Sequence, residues 1–358
     1  MTEEPTNGSC TPFAQHRYAI VAGLSTASAF VSLLASCFVI FLIVLFKKWR
    51  FFAQRLVLYL AIAVVFHSIA TIFIRVDYNN ETSEFYVRFC QFSAFVLQNS
   101  SWMGFISVIS ITLYIFVCAV FRKRTDRLES VYLFFTFAFP LLFNWIPFIK
   151  AAYGRSGAWC WIRSQELATC ERFVFGQVLQ FVLWYVPFYV ILIILICLYV
   201  TILVKTHQQK WTGSYKSEDE YLQMRMNKEI RSLLWYPLIY FVINLFPLFN
   251  RIHGLAHPND PNIVLWILAA LFFPLQGGFM ALAFTLDSGT RKRLKWVNIK
   301  AAAKQLCRKG GKDVSEYPIQ HLSISVSMAM SSTDEVHEAA YHIIDENGVQ
   351  NAEETTDT

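Results

Sequence analysis

Charged residues are scarce in this sequence, and the places from which they are missing are informative. Asp, Glu, Lys and Arg make up 16% of the 358 residues, whereas about a quarter of a soluble domain is charged. None of them lies within seven long apolar stretches, so the pattern predicts an all-α membrane protein, a seven-transmembrane helix bundle. The stretches are Tyr18–Phe46, Leu56–Ile74, Phe89–Phe121, Ser130–Ile149, Phe173–Val204, Ser232–Asn250 and Asn262–Leu286.

The same shortage argues against several functions. A membrane enzyme needs His, Asp or Glu within its spans as metal ligands or bases, and an ion carrier needs ionisable residues along a pathway. His67 is the one such residue well inside a stretch, and a lone His is more often a structural hydrogen bonder than a catalyst. The last stretch has no Lys to bind retinal. We therefore expect no enzyme, no metal and no cofactor, and no nucleic-acid partner because no basic stretch forms a folded module.

Lys and Arg are distributed unequally between the two sides of the predicted bundle. With the amino terminus outside, 23 of the 31 lie on the inner side and 8 on the outer side. The positive-inside rule therefore predicts a plasma-membrane protein with an extracellular amino terminus and a cytoplasmic carboxyl terminus. Residues 1–17 contain no apolar core, so we expect the first span to act as an uncleaved signal anchor.

The apolar stretches divide the chain into four predicted parts. These are an extracellular segment (1–17), the seven-helix bundle (18–287), a short amphipathic eighth helix (288–309) and a disordered acidic Ser/Thr-rich cytoplasmic tail (310–358). The eighth helix is predicted because apolar residues recur at helical spacing opposite Lys and Arg, which suits a surface of anionic membrane lipids. Those apolar residues are Trp296, Ile299, Ala303 and Leu306.

The last two parts contain candidate modification sites. Cys307 is either palmitoylated or an unmodified thiol. Residues 313–358 have ten Asp or Glu and no Lys or Arg, which is typical of disorder. Phosphorylation there by a receptor kinase would add negative charge that an arrestin-like protein can bind; Ser-rich disorder without regulation is the alternative. The candidate sites are Ser323, Ser325, Ser327, Ser331, Ser332 and Thr333.

The third stretch is unusually polar for a membrane span. Counted from Cys90 to Arg124, a helix would be longer than the roughly 30 Å hydrocarbon core of a bilayer. Its polar side chains seek partners inside protein, which predicts the central helix of the bundle, although Ser and Thr can also bond to their own helix. These side chains are Gln98, Asn99, Ser100, Ser101, Ser107, Ser110 and Thr112.

Four cysteines lie on the predicted outer side, where disulfides form. By count alone they allow three pairings. We predict a bridge between Cys90 and Cys160, which would tie the central helix to the second outer loop. Cys10 and Cys170 then either form a second bridge or remain free thiols.

Two glycosylation sequons also lie on the predicted outer side. They are Asn7-Gly8-Ser9 and Asn80-Glu81-Thr82. Asn7 is the better candidate, because Asn80 lies in a short loop. The sequon at Asn99 lies within a span and is discarded. We therefore expect a glycoprotein.

Prolines interrupt the later stretches, where each removes a backbone hydrogen bond and favours a kink. In the last stretch, Pro274 is followed by Gln276 and two glycines, which predicts a bend with Gln276 facing inward. Each kink is either a fixed shape or a moving hinge. The prolines are Pro140, Pro147, Pro187, Pro237, Pro247 and Pro274.

Several short motifs occur along the apolar stretches and their connections. They are Cys90-Gln91, Trp102, Trp159-Cys160-Trp161-Ile162, Trp235-Tyr236-Pro237-Leu238-Ile239, Asn250-Arg251-Ile252 and Gln276-Gly277. These motifs resemble those of the slime-mould cyclic-AMP receptor family and its plant and animal relatives. The resemblance covers roughly residues 18 to 300, and its final part is similar to the seventh span of the secretin and adhesion receptors. The resemblance implies a G-protein-coupled receptor that transduces an extracellular small-molecule signal.

The resemblance also suggests ligand-binding residues. If the ligand is anionic, outer cations near helix ends meet it; otherwise they are solvated or contact lipid headgroups. These cations are Lys150, Arg155, Arg163 and Arg251. Candidate pocket-lining residues, for which interhelical packing is the alternative, are Trp102, Asn144, Trp145, Trp161, Gln177 and Asn244. His67, by contrast, resembles a secretin-class polar network position, which implies control of inactive packing.

The predicted inner face is basic, which suits a heterotrimeric G protein or lipid. We expect the contacts to be Arg122, Lys123, Arg124, Lys228 and Arg231. The mechanism would be a population shift, in which an agonist binds the open state more tightly than the closed one. The alternative function is a seven-span transporter or scaffold without G-protein coupling.

Overall fold

The computed structural model describes residues 15–73, 83–121, 123, 125–156, 159–166, 171–211, 233–256, 262–287, 290–291, 294 and 298–300. These residues belong to one compact unit, 1–302. Within them the helices fall into seven segments, each of which overlaps one apolar stretch. The helices are α1 (Gln15–Leu45), α2 (Phe52–Phe73), α3 (Glu84–Phe116), α4 (Glu129–Leu133), α5 (Val174–Gln180), α6 (Val186–Trp211), α7 (Trp235–Ala256), α8 (Ile263–Phe272) and α9 (Gln276–Leu286).

Shorter turns of 3-10 and π-helix connect or extend these helices. The π-helix Val117–Phe121 continues α3, and the π-helix Phe181–Tyr185 joins α5 to α6. A further series of short turns, Asp126–Leu128, Phe134–Ala138, Phe139–Leu142 and Ile146–Phe148, surrounds and follows α4.

The described helices confirm an all-α membrane bundle, while the number of spans stays a prediction. Five helical segments are long and apolar enough to cross a membrane, and the bent pair α8–α9 is a sixth if it is one span. Helix α7, which contains Asn244, Asn250 and Arg251, is not among the six. The five segments are Ala19–Leu45, Phe52–Phe73, Glu84–Phe121, Asp126–Phe148 and Val174–Lys205.

Helix α3 is the central helix, as predicted, although its bounds differ from the prediction. It contacts α2, α6, α7 and both strands of a hairpin. In its most apolar window 67% of the residues are buried, compared with 22% in the segment that contains α4. The helix begins at Glu84, before Cys90, and helical structure ends at Phe121, so it does not reach Arg124.

The fourth segment is irregular because of its prolines. The stretch Ser130–Ile149 falls almost wholly within one helical segment, Asp126–Phe148, but this segment is not a regular α-helix: α4 ends at Leu133 and is followed by π and 3-10 turns. Pro140 and Pro147 have no backbone N–H to donate to a preceding turn, so each starts or lies in a 3-10 turn instead. The carbonyl of Pro140 still accepts from the N–H of Asn144 at 3.1 Å.

A two-stranded antiparallel hairpin lies against one end of α3, here called the hairpin end of the bundle. Strand β1 (Tyr153–Ser156) pairs with β2 (Trp159–Ile162), with Tyr153 opposite Ile162. The predicted disulfide Cys90–Cys160 is present and fastens β2 to α3. Tyr153 is fully buried and donates its hydroxyl to the carbonyl oxygen of Asn144 at 2.7 Å. Burial raises the pKa of Tyr153, so this donor keeps its proton.

The last apolar stretch is bent, as its Pro-x-Gln-Gly-Gly pattern predicts. Helices α8 and α9 meet at 49° across Pro274, and Gln276 is buried just after the bend. The backbone N–H of Gly277 donates to the hydroxyl of Ser32 in α1 at 2.9 Å. A side chain at this position has no room, because a Cβ on Gly277 would lie 2.4 Å from the Ser32 hydroxyl. The bend therefore packs closely against α1 through a contact between small residues.

Two ionic contacts join helices at the end opposite the hairpin. Lys48, which is 6% exposed, lies 3.9 Å from the Asp287 carboxylate, donates to the hydroxyl of Thr290 and covers the ring of Phe284. The pair connects the end of α1 with the end of α9. In the second contact, Arg55 and Tyr59 of α2 both bond to Glu129 at the start of α4. These contacts stabilise the arrangement of four helices at this end.

Candidate functional site

A cavity of about 170 Å³, which opens to solvent, lies at the hairpin end of the bundle. Its walls come from α1, α2, α3, β2, the π-helix Phe181–Tyr185, α6, α7, α8 and the bend at Pro274. A molecule in this cavity would therefore contact nearly every segment of the bundle at once. Pockets between helices that combine apolar walls with a few polar groups are the usual form of small-molecule sites.

Aromatic rings form much of the cavity wall and connect its elements. Trp159 of β2 stacks on Trp266 of α8, with ring centroids 5.6 Å apart. Trp161 meets the ring of Tyr185 edge-on at 5.9 Å. Trp184 lines the cavity as well and stacks on Phe188. These contacts close the hairpin over the cavity, and the flat ring faces suit a planar or apolar part of a ligand.

Arg251 is the one Lys or Arg among the described residues that line the cavity, and that set contains no Asp or Glu. Its guanidinium lies 5.0 Å from the ring of Tyr185 and 6.0 Å from that of Trp161. Both contacts have the geometry of cation–π interactions. The lining therefore carries positive rather than negative charge, which disfavours amines as ligands.

Polar side chains lie on the α2 and α3 walls of the cavity. The Oε1 of Gln98 accepts from the indole N–H of Trp161 at 2.6 Å. The Nδ1 of His67 lies 3.2 Å from the hydroxyl of Ser101, and the ring of Phe273 packs edge-on against the imidazole. Both Gln98 and His67 are 1% exposed. The cavity thus offers buried hydrogen-bonding groups next to aromatic walls.

Three of the ten predicted ligand-binding residues line the cavity: Trp161, Asn244 and Arg251. His67 and Pro274, predicted as internal polar and hinge positions, line it too. The side-chain amide of Asn244 donates a hydrogen bond to the carbonyl of Tyr240, one turn earlier in α7. These residues come together because β2 and the hairpin end of α7 face the same space.

Two more of the ten are buried between helices instead. Trp102 donates to the carbonyl of Leu183 at 3.1 Å, and Asn144 donates to the side-chain oxygen of Asn99 at 3.2 Å. Neither is among the lining residues of the cavity. For both, the structure has the interhelical packing that was the alternative interpretation. Pro237, predicted as a hinge, is buried in the first turn of α7.

The remaining five lie at the hairpin end but not in the cavity lining. Trp145 is 52% exposed and bonds to its own turn. Lys150 covers the ring of Phe175, and Arg163 bonds to the carbonyl of Ala151. The other two are Arg155 in β1 and Gln177, whose amide bonds to the carbonyl of Ser164.

Most of the other predicted sites lie outside the described residues. On the predicted G-protein face, Lys123 is described and exposed. The residues outside the description are Arg122, Arg124, Lys228 and Arg231 on that face, the sequons at Asn7 and Asn80, Cys10 and Cys170, Cys307, and the tail sites from Ser323 to Thr333.

Several cavity residues were not predicted from the sequence, although one of them, Trp159, could have been. Trp159 and Trp161 are two positions apart in β2, and alternate residues of a strand share a face. Because Cys160 points to α3, its two neighbours both point away from the disulfide and toward the cavity. Gln98 and the aromatic residues of the α5–α6 segment had no such signal, since polar and aromatic residues occur all along those stretches.

Comparison with known proteins finds similarity to G-protein-coupled receptors. Residues 221–295 match the family model described as "G protein-coupled glucose receptor regulating Gpa2 C-term". The chain is 24% identical over 264 residues to Cyclic AMP receptor-like protein A of Dictyostelium discoideum, a match that covers 73% of this chain and 63% of that protein. It is 22% identical over 279 residues to G-protein coupled receptor 1 of Arabidopsis thaliana, covering 77% and 80% of the two chains.

The chain is thus similar to cyclic AMP receptor-like and other G-protein-coupled receptors. The resemblance predicted from the motifs is confirmed. This similarity agrees with the apolar helices in indicating a multi-pass membrane protein. The family model covers α7, α8 and α9, and these helices supply Asn244, Arg251 and the bend at Pro274 to the cavity.

Proposed function

We propose that this receptor binds a small extracellular molecule in the cavity at the hairpin end and activates a heterotrimeric G protein at the opposite end. The observation that carries the proposal is the cavity itself, which is lined from α1, α2, α3, α6, α7 and α8 together. A ligand that touches so many helices gains or loses contacts whenever those helices shift. It can therefore favour one arrangement of the bundle over another.

The proposed orientation has the hairpin end outside the cell. The disulfide between Cys90 and Cys160 supports it, because disulfides persist in oxidising compartments. The excess of Lys and Arg in the connections at the opposite end supports it as well. Epitope tags at the two chain ends test this directly: in intact cells, antibody should reach the amino-terminal tag alone. If both tags were reachable, the proposed path from ligand to G protein would be wrong.

The bend between α8 and α9 is the proposed moving part. Pro274 and Phe273 line the cavity, whereas Asp287 at the other end of α9 pairs with Lys48. A change at the bend is thus carried along α9 to the opposite end of the bundle. A ligand must bind the active arrangement about 10⁴-fold more tightly to reverse a 1:99 equilibrium.

At the proposed cytoplasmic face, the G protein meets the cations Arg122, Lys123, Arg124, Lys228 and Arg231. Phosphorylation of the tail by a receptor kinase and capture by an arrestin-like protein are proposed as the route of regulation. Residues 288–309 are proposed to rest on anionic membrane lipids.

The names of the similar proteins suggest two ligands to test first. The family model names a glucose receptor, and the Dictyostelium relative is named for cyclic AMP. The test is nucleotide exchange by a panel of Gα subunits, with the receptor in lipid nanodiscs and with glucose or cyclic AMP added. We expect exchange on at least one Gα to exceed that with empty nanodiscs. If no Gα responds while the reconstituted receptor carries a solute across vesicles, the transporter alternative holds instead.

A further inference from the structure

We infer that the cavity contains a subsite for an uncharged group that accepts a hydrogen bond from Gln98 and donates one to His67. This inference rests on one part of the proposed function, namely that the cavity is the ligand site. It names the chemistry of the ligand: a carboxamide or a hydroxyl beside a flat ring, rather than an anion or an amine.

The orientation of the Gln98 amide follows from its neighbour. An indole nitrogen is a hydrogen-bond donor and never an acceptor, so the group 2.6 Å from Trp161 Nε1 must be the oxygen of Gln98. The amide nitrogen of Gln98 is then left without a hydrogen-bond partner in the described part of the chain, although it is buried. The two N–H groups of Gln98 therefore have no acceptor among the described residues, and Gln98 belongs to the wall of the cavity.

The tautomer of His67 follows in the same way. The hydroxyl of Ser101 has one hydrogen, and it donates that hydrogen to the carbonyl of Leu97 at 2.7 Å. Toward His67, 3.2 Å away, the same hydroxyl can only accept, so Nδ1 carries the imidazole hydrogen. The other nitrogen, Nε2, is then an acceptor, and it too is buried without a partner among the described residues.

The two unfilled groups belong to residues on adjoining walls of the same cavity. Ser101 is one helical turn after Gln98 in α3, and the Nδ1 of His67 in α2 contacts Ser101. A donor and an acceptor on adjoining walls are complementary to a group that carries both functions. Buried polar groups are nearly always hydrogen-bonded in proteins. We therefore expect a bound ligand to supply hydrogen-bond partners for these two groups.

Arg251 provides the competing possibility. Its guanidinium faces the rings of Trp161 and Tyr185, which gives it favourable contacts without any anion. An anionic ligand held by Arg251 would accept from Gln98 as well. It would offer no hydrogen to His67 Nε2, so it would leave that group unfilled. The His67 contact therefore separates the two ligand classes.

The test measures the binding of ring-matched probes to the full-length receptor in nanodiscs by ligand-observed NMR, with empty nanodiscs as the blank. Benzamide supplies both an acceptor and a donor, N,N-dimethylbenzamide supplies the acceptor alone, and benzoate supplies an anion. We expect benzamide to bind at least tenfold more tightly than either of the others. Equal or tighter binding of benzoate, or no difference between the two amides, would overturn the inference.

Two variants assign the effect to the named atoms. Gln98→Glu keeps an oxygen for Trp161 but removes the N–H groups, and His67→Phe keeps a ring against Phe273 but removes the acceptor. Each should reduce the benzamide preference to less than threefold. Thr112→Val is the matched control, because this buried hydroxyl of α3 lies outside the cavity lining and bonds to the carbonyl of Val108 in its own helix; it should retain the full preference.

The binding assay contains no G protein, so its failure and a failure of nucleotide exchange are separate results. If a variant does not fold, the comparison of the three probes on the unaltered receptor still decides the inference.

Discussion

Gly277 lies where α9 contacts α1, and the adjacent Gly278 serves as a control for a substitution there. A Cβ at Gly277 would lie 2.4 Å from the hydroxyls of Ser32 and Ser36 and 2.5 Å from the carbonyl oxygen of Ser32. At the next residue, Gly278, the nearest atom to an added Cβ is 3.4 Å away, which is ordinary contact. Two adjacent glycines therefore differ sharply in the space around them.

We predict that Gly277→Ala destabilises the receptor by about 1–3 kcal/mol, the usual cost of forcing an extra carbon into a packed site. Thermal unfolding of the purified receptor measures it. Gly278→Ala should leave the melting temperature unchanged or raise it slightly, because glycine is a poor helix former. An equal effect of the two substitutions would show that α1 and α9 are not in close contact.

At this scale the sequence revealed which residues are polar but not which way they point. Gln98, Asn99, Ser100 and Ser101 follow one another on α3, and only the structure distinguishes Gln98 and Ser101 at the cavity from Asn99 at Asn144. A helix surrounded by protein on most sides has no single apolar face that would define direction. A side-chain direction could be predicted only next to a residue whose contact was itself predictable, such as Cys160, whose disulfide orients β2.

Buried charge is the main feature at the scale of elements, because the Lys48–Asp287 pair connects α1 with α9. We predict that Asp287→Asn costs on the order of 3 kcal/mol, since it removes a carboxylate that lies beside a buried lysine. Lys48→Met should cost less, and adding it to Asp287→Asn should restore part of the lost stability. Chemical or thermal unfolding of the purified variants measures these differences.

The matched control for that pair is an exposed one. Glu84 and Arg88 form an ion pair on the first turns of α3, with side chains 80% and 77% exposed. Exposed pairs contribute little to stability, so Glu84→Gln should not change the unfolding midpoint measurably. If Asp287→Asn were equally silent, Lys48 would not depend on Asp287.

The hairpin provides the other prediction at this scale. Replacing Cys90 and Cys160 together by Ser frees β2 from α3 and should cost about 2–4 kcal/mol, the usual value for a native disulfide. The loss should also weaken benzamide binding, since Trp159 and Trp161 of β2 line the cavity. Unfolding and probe titrations on one preparation check both. Unchanged binding would mean that the rings of α8 and α6 hold β2 in place unaided.

Elements were predictable to the extent that their apolar runs were uninterrupted. The bounds of α1 and α2 agree with the predicted stretches to within a few residues. The fourth stretch looked like the others in composition, yet Pro140 and Pro147 convert it to short turns. Apolar composition measures the affinity of a segment for lipid, whereas the backbone hydrogen bonds that prolines remove decide its regularity.

At the scale of the whole molecule, the cavity at one end is proposed to act on a basic face at the other. Charge counting predicted which end is extracellular, and the motifs predicted the similarity to G-protein-coupled receptors that the comparisons find. The convergence of α1, α2, α3 and α7 on one cavity was not readable from sequence, because it depends on how the helices tilt and bend against one another. The central proposal is that ligand binding in the cavity changes the G-protein face at the opposite end.

The most direct measurement of that claim is nucleotide exchange on a purified Gα subunit, with the receptor in nanodiscs and charge reversal at Arg122 and Arg124 as the comparison. We predict that the unaltered receptor accelerates exchange several-fold over empty nanodiscs. The reversed variant should still reach the cell surface and bind benzamide but should leave exchange at the background rate. Unchanged exchange with the reversed variant, or no acceleration by the unaltered receptor with any Gα subunit, would contradict the account.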